Sequence, residues 1–201
     1  MSRVEENTEK ILKASIEEFV SHGVKAATME GIANKASVSK RTLYKYFTNK
    51  QKILDTIIHV HLDSVLFSSD YQYSQSVSIS EQLDGIIQQR IDLMTSKEFI
   101  KISKLVITEL LQSNPLKQEH IEKYTSTETH FIAWIEAAKK DGKVNTETPS
   151  QLIANQMSSI INGQVFYPVI LGFVTLTKEE IATAKSTCKD FFLRMFCSVS
   201  K

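Results

Sequence analysis

The chain has 201 residues, of which 42% are hydrophobic and 23% are charged, and its formal net charge is only +1. These proportions are those of a globular protein with a full core, and they exclude a disordered or collagen-like chain. With only 6 Gly and 3 Pro, the chain has few turn-forming residues, which favours long helices over many short strands.

The first predicted helix covers residues 4–22, where apolar residues recur with a helical period. Gly23 follows it, in the position of the left-handed residue that ends many helices. Thr28 is then expected to cap a short helix that ends at Lys35 or Ala36.

A second short helix is predicted from Lys40 to Phe47, with Ser39 as its cap and with Leu43 and Phe47 on its inner side. A longer helix over residues 50–67 follows after a short break. Two short helices joined by a tight turn, with a longer helix on each side, are typical of a helix-turn-helix unit.

Charge is concentrated in this part of the chain. Residues 1–54 carry ten basic and six acidic side chains, a net charge of +4, which leaves −3 for the remainder. Residues 31–54 hold six cations and no carboxylate. A local positive patch on a nearly neutral chain indicates an anionic partner at one end.

The outer face of the second short helix carries a compact set of donors, as a helix that enters the major groove of DNA requires. Arg41 can donate two hydrogen bonds to a guanine, and the Thr42 methyl can contact a thymine methyl. Lys50 and Thr28 stand at helix starts, where a phosphate is expected to bind. The predicted DNA-binding residues are Thr28, Ser39, Lys40, Arg41, Thr42, Tyr44, Lys45, Tyr46 and Lys50.

Each of these cations alone is equally well explained as part of a solvated surface. The set as a whole is not, because a solvated surface does not predict an acid-free run on the one tight helix-turn-helix of the chain.

The remainder of the chain, after a polar loop, is predicted to be helical, which makes the protein all-α with about nine helices. Serine, threonine and asparagine residues at cap spacing indicate where the helices begin. The predicted starts are Ser80, Thr95 with Glu98, Asn114 with Pro115, Thr148 with Gln151, and Thr177 with Glu180.

An uncharged segment lies between Glu147 and Lys178 and is long enough to suggest a membrane helix. Polar side chains interrupt its first half, and Pro168 and Gly172 interrupt its second half. A helix buried in a core or in a subunit interface explains this segment better, so no membrane partner is expected.

The sequence does not favour an enzyme. Cys188 and Cys197 fit neither a zinc site nor a disulfide framework, and we expect two reduced thiols. His59 and His61 are two residues apart on a helix and cannot share a metal, and no phosphate-binding glycine loop or nucleophile motif is present. We therefore expect no catalytic residues, no metal and no cofactor. Because Met1 is followed by polar residues rather than by a leader, a cytoplasmic protein is expected.

Residues 9–54 resemble the DNA-binding segment of TetR-family transcriptional repressors, above all in the stretch TMEGIANKASVSKRTLYKYFTNKQKIL. Where the family usually has a glycine in the turn, this chain has Ser37, and a positive φ at this residue would cost about 1 kcal/mol. Gly31 occupies a position that more often carries an acid. The matching positions are Gly23, Thr28, Ile32, Ala33, Val38, Ser39, Leu43, Tyr44, Tyr46, Phe47 and Lys50.

The resemblance implies a helix-turn-helix domain over residues 1–49, a linker helix over 50–67 and an effector-binding and dimerisation domain over 68–201. It also implies a homodimer through the last two helices and a repressor that a small-molecule effector releases from pseudo-palindromic operator DNA. A TetR-like protein controlled by a protein partner, or one without any effector, is the alternative.

A small apolar or aromatic effector is implied by the same resemblance, and apolar and polar residues of the C-terminal part are candidates to line its pocket. Aromatic and methionine residues at helical spacing are equally typical of an ordinary core. The candidates are Phe99, Val106, Glu109, Leu110, His130, Trp134, Gln156, Met157, Phe166 and Tyr167.

Overall fold

The computed structural model describes residues 3–67, 71–112, 118–126 and 128–197, and all regular structure in these ranges is helical. The all-α prediction is therefore confirmed. A π-helix, Asn162–Phe166, joins α9 to α10. The α-helices are α1 (Arg3–Ala26), α2 (Met29–Lys35), α3 (Lys40–Tyr46), α4 (Lys50–Phe67), α5 (Ile79–Thr95), α6 (Lys97–Gln112), α7 (Gln118–Ser126), α8 (Thr129–Lys140), α9 (Ser150–Ile161), α10 (Tyr167–Ile170) and α11 (Lys178–Phe196).

Local capping chemistry fixes several helix starts where the sequence predicts them. The Thr28 hydroxyl caps α2, the Ser39 hydroxyl caps α3 and the Asn49 side chain accepts from the Lys52 N–H at 2.9 Å. Thr177 and Glu180 form the predicted capping box of α11. These bonds satisfy N–H groups that have no partner inside a helix.

Two helix starts differ by a few residues from the prediction. Ser78, not Ser80, caps α5, because its backbone is extended and its hydroxyl accepts from the first turn. The Ser96 hydroxyl accepts from the Phe99 N–H at 3.3 Å at the start of α6. The capping box predicted at Thr95 is wrong, since Thr95 is the last residue of α5.

The capping box predicted at Thr148 and Gln151 is also wrong. Pro149 stands at the N-cap of α9 and makes no side-chain cap bond. The Thr148 N–H instead donates to the Thr146 hydroxyl at 3.2 Å. The start predicted at Asn114 and Pro115 lies outside the described residues. The sequence predicts no other start before Thr148, whereas the structure has two helices there, α7 and α8.

The uncharged segment is one helix with a change of winding. The Tyr167 N–H donates to the Asn162 carbonyl, which is a π-type bond. Pro168 follows directly and has no N–H with which to continue the α-helical ladder, so the local rewinding has a chemical cause. None of the described helices is both long enough and apolar enough to cross a membrane.

Contacts divide the chain into two compact units. The first comprises 1–62 and 101–121, and the second comprises 63–100 and 122–201. Helix α4 has the limits predicted for the linker, 50–67. The domain boundaries at residues 49 and 67 stay a prediction, because a compact unit and a functional domain need not coincide.

The core of the first unit combines α1–α4 with a part of α6. Ile11, Ile32, Leu43 and Ile53 are fully buried in it. Leu105 is also buried in this core, and Ile102 and Val106 of the same helix pack against it. The helix-turn-helix is thus completed by residues that follow it by more than fifty positions.

A buried hydrogen bond joins α4 to α6 within this unit. His61 is 8% exposed, and its Nε2 lies 2.9 Å from the Ser103 hydroxyl oxygen, which is buried as well. Burial lowers the pKa of His61 to about 4. The imidazole is therefore neutral at pH 7.

We expect His61 to make the protein sensitive to mild acid. In an unfolded chain the pKa of histidine is about 6.5, so the unfolded state takes up a proton first as the pH falls. The contribution to stability is complete above about pH 6.5 and is lost towards pH 4, a loss of about 2 kcal/mol between pH 7 and 4.5. Urea unfolding at about pH 7 and about pH 4.5 measures this loss in the free energy of unfolding. His61→Gln should show a smaller change, and an equal change in both proteins would contradict the assignment.

The core of the second unit is aromatic. Trp134 is 1% exposed and stacks on Phe131 with ring centroids 5.8 Å apart, and Phe192 meets the indole edge-on at 5.9 Å. The Trp134 indole N–H donates to the Gln82 side-chain oxygen at 3.1 Å. A buried indole N–H needs such a partner, so Trp134 is well satisfied as a core residue.

Candidate DNA interface and effector-pocket residues

The turn between α2 and α3 ends α2 with a Schellman motif. The Val38 N–H donates to the Ala33 carbonyl at 3.0 Å, and the Ser37 N–H donates to the Asn34 carbonyl at 3.1 Å. Ser37 has φ 54° and is the one non-glycine residue with positive φ among the described residues. The left-handed conformation that the family glycine suggests is therefore present, although the residue here is serine.

Ser37→Gly is expected to stabilise the protein by about 0.5–1 kcal/mol, because glycine adopts positive φ without a clash of Cβ. Ser37→Ala is the matched control, since alanine keeps the Cβ and should give no gain. Thermal unfolding of the two variants measures the difference. Equal stability of the glycine and alanine variants would contradict the strain at this position.

Helix α3 separates an inner from an outer face. Leu43 is fully buried, and Phe47 just beyond the helix is 5% exposed. The Ser39 hydroxyl accepts from the Thr42 N–H at 3.0 Å and fixes where the helix begins. An α-helix with its side chains is about 10–12 Å across, which fits the width of a major groove.

The outer face of α3 is cationic, and its cations make few ion pairs. Lys40, Arg41 and Lys45 are exposed, and Tyr44 is 45% exposed. The Lys40 ammonium lies 4.0 Å from the Glu30 carboxylate, an exposed pair that contributes little. In the part of the chain that the structure describes, Arg41 and Lys45 make no ion pair. Their donors are available to a nucleic acid.

Tyr46 differs from this set. Its ring is partly buried against the core of the first unit, and its hydroxyl accepts from the Asn7 side-chain amide at 3.3 Å. Sequence reasoning missed Asn7, since nothing local links two residues that are 39 positions apart. DNA contact by Tyr46 stays a prediction, and the observed role of its ring is packing.

Lys50 is positioned differently from the phosphate ligand that the sequence suggests. Its ammonium donates to the carbonyls of Val24 at 2.8 Å, Lys25 at 2.8 Å and Ala27 at 2.6 Å. An ammonium has three N–H groups, so all of them are used. Lys50 therefore binds carbonyls in and just after the last turn of α1, beyond the non-helical Gly23, and its contact with a DNA phosphate stays a prediction.

The glycine at position 31 makes room for an acid from another helix. A Cβ there would lie 2.5 Å from the Glu18 carboxylate oxygen. Glu18 is 8% exposed and pairs with Lys35 at 3.1 Å and with His22 at 3.4 Å. The acid that the family pattern suggests at position 31 is thus replaced by one from α1.

Comparison with known proteins agrees with this geometry. Residues 11–57 match the bacterial regulatory proteins of the tetR family, and residues 81–198 match the C-terminal domain of AefR-like transcriptional repressors. The chain belongs to the TetR family. The sequence-based recognition of the family is confirmed, and the protein is a DNA-binding transcriptional regulator rather than an enzyme.

Individual relatives share this assignment. The HTH-type transcriptional regulator SrpR of Pseudomonas putida is 21% identical over 164 residues, covering 82% of this chain and 74% of that protein. The HTH-type regulator YhgD of Bacillus subtilis is 29% identical over 137 residues, with 66% of each chain covered. A TetR-family regulator from Pseudomonas syringae pv. tomato has a similar structure, with a TM-score of 0.76, 27% identity and coverage of 94% and 96%.

The effector-pocket candidates of this TetR-family chain are divided between the two compact units. Three of them, Val106, Glu109 and Leu110, belong to the first compact unit and seven to the second. Trp134 and Met157 are core residues at 1% exposure, and Tyr167 is 52% exposed. The remaining candidates in the second unit are Phe99, His130, Gln156 and Phe166.

A buried polar group in the second unit was not predicted. Arg90 is 4% exposed and donates to the Glu128 carboxylate and to the Ser158 hydroxyl, the latter at 2.9 Å. The Glu128 Oε2 atom and the His130 Nδ1 atom are buried without a hydrogen-bond partner among the described residues. Unpaired buried polar atoms are costly, so this is a place where a polar ligand group or water would stabilise the fold.

The two cysteines of the chain lie in α11 and directly after it. Cys188 and Cys197 are both free cysteines, and burial raises the pKa of the Cys188 thiol to about 11. Within the described ranges, no group of three or more His, Cys, Asp or Glu side chains could hold a metal ion.

Proposed function

We propose that this TetR-family regulator is a dimeric repressor that a small apolar or aromatic effector releases from a pseudo-palindromic operator. The observation that carries the DNA part is the outer face of α3. Its outer side chains, Lys40, Arg41, Tyr44 and Lys45, are exposed, while Leu43 on its inner face is buried in the core. In a two-fold dimer, two such helices would enter successive major grooves, about 34–36 Å apart.

The dimer is supported by apolar side chains that remain exposed near the C-terminus of the described chain. Large apolar side chains that stay exposed in one part of a chain are typical of an interaction surface. They lie on or beside α9–α11, which include the helices predicted to form the interface. The residues are Leu152, Tyr167, Leu171, Phe173, Val174 and Met195, each at least 40% exposed.

Repression and effector release are supported by the match to the AefR-like repressor C-terminal domain and by the polar group around Arg90. An effector would act by binding one conformation of the dimer more tightly than another, which lowers operator affinity by linkage. Control by a protein partner, or the absence of an effector, is the alternative. Because its operator is genomic DNA, we place the protein in the bacterial cytoplasm.

A fluorescence-anisotropy titration of the full chain against DNA from its own promoter region tests the repressor. We expect sequence-preferring binding whose affinity falls steeply with salt, as counterions are released from phosphates. Binding that shows neither property would refute the proposal. Native mass spectrometry of the same sample measures the dimer and any ligand carried through purification. A monomer would contradict the dimer proposal, and a dimer without ligand would favour the alternative.

A further inference from the structure

The first compact unit contains a cavity of about 450 Å³ between the C-terminal end of α1 and α6. The α1 side is formed by residues 19–26, with position 21 excepted, and the α6 side by one face of that helix between positions 101 and 112. The volume is at the smaller end of the range found for ligand pockets. Only Glu109 is shared with the effector candidates predicted from the sequence.

The inner wall of the cavity is apolar. Phe19, Val24 and Leu105 are buried core residues that present one side to it, and Val20 is 50% exposed beside them. An isolated exposed valine is ordinary, but here it continues a buried apolar surface. Hydrocarbon placed on this wall would remove both surfaces from water.

The rim of the cavity is cationic. Lys25, Lys101 and Lys104 all line it, and Glu109 is the one carboxylate in the lining. Within the described ranges, none of these three lysines has a carboxylate within 4.0 Å, whereas Lys35 and Lys143 do. Lys101, Lys104 and Thr108 recur at spacings of three and four, so they share a face of α6.

We propose that this cavity binds an amphiphilic carboxylate, a medium-chain alkanoate or an arylalkanoate. The carboxylate lies among Lys25, Lys101 and Lys104, and the hydrocarbon lies against Phe19, Val20 and Leu105. An inorganic anion would leave the apolar wall in water, and a neutral hydrocarbon would add no negative charge to a rim lined by three lysines and one carboxylate, that of Glu109. Only a ligand with both a carboxylate and a hydrocarbon part complements both the cationic rim and the apolar wall.

Isothermal titration of the full chain with decanoate tests the site, with decan-1-ol and decyltrimethylammonium as probes of equal chain length and different charge. We expect saturable binding of one decanoate per chain and at least about tenfold weaker binding of the other two. The double variant Lys101→Gln/Lys104→Gln should lose about tenfold in decanoate affinity. Lys97→Gln is the matched control, because Lys97 is exposed on α6 and does not line the cavity.

Thr108→Trp is a second variant that fills the cavity from an exposed position and spares the core. Decanoate binding should be lost while the circular dichroism spectrum and thermal midpoint stay close to those of the parent. No decanoate binding, equally tight binding of decan-1-ol, or unchanged binding in both the lysine and the tryptophan variants would overturn the proposal. None of these measurements uses DNA, so their failure is distinct from a failure of the repressor proposal.

Discussion

Arg41→Ala should lower operator affinity by about ten- to a hundredfold and weaken the preference for the correct bases, because a bidentate contact to guanine is worth about 1–3 kcal/mol. The Arg41 guanidinium is exposed on α3, and it makes no ion pair with a carboxylate of the described residues. Loss of this contact penalises the correct operator more than other DNA. The affinity for the operator and the affinity for other DNA should therefore become more similar.

Lys45→Ala is the matched comparison for Arg41→Ala, since Lys45 is an exposed cation one turn further along the same helix. A phosphate contact carries no base information, so this variant should weaken binding to all sequences alike and reduce the salt slope by about 1. Anisotropy titrations of operator and scrambled DNA at several salt concentrations measure both effects. Equal losses on both DNAs for both variants would show that α3 does not read the groove through Arg41.

Lys50→Ala should destabilise the protein by about 2 kcal/mol, because it removes three charge-assisted hydrogen bonds from the end of α1. For a chain of this size that corresponds to a fall in the melting temperature of about 4–8 °C. Differential scanning fluorimetry measures the shift.

Lys52→Ala is the control for Lys50→Ala, since Lys52 is exposed two residues further along α4, and its side chain should contribute little. The salt slope of DNA binding by the folded Lys50→Ala protein should remain near that of the parent. A stable Lys50→Ala variant with a reduced salt slope would instead support the predicted phosphate contact.

The helices and their caps could largely be predicted from the sequence, because both depend on residues within one turn of each other. Thr28, Ser39 and Asn49 each satisfy an N–H three positions away. The outer set of α3 followed from the burial of Leu43 and Phe47 alone. Errors at α5 and α6 arose where two hydroxyl residues stand close together and either can act as the cap.

What the sequence could not predict depends on residues distant in the chain. The Lys50 ammonium binds backbone carbonyls more than twenty positions away. Because every residue has a backbone carbonyl, no residue type in the sequence indicates which carbonyls a lysine will bind. Arg90 and Ser158 are 68 positions apart. The effector candidates were chosen by residue type, and residue type cannot distinguish a lining residue from a core residue such as Trp134.

The compact unit that contains the helix-turn-helix is discontinuous in the sequence, and this limits how it can be engineered. Leu105 is 6% exposed in the same core as Ile11 and Ile53, and residues 101–121 belong to that unit. In a chimera that exchanges only residues 1–67 with a relative, the helix-turn-helix of one protein would have to pack on the α6 of the other protein. Grafting operator specificity onto another regulator therefore calls for either exchanging both segments together or changing only the outer residues of α3.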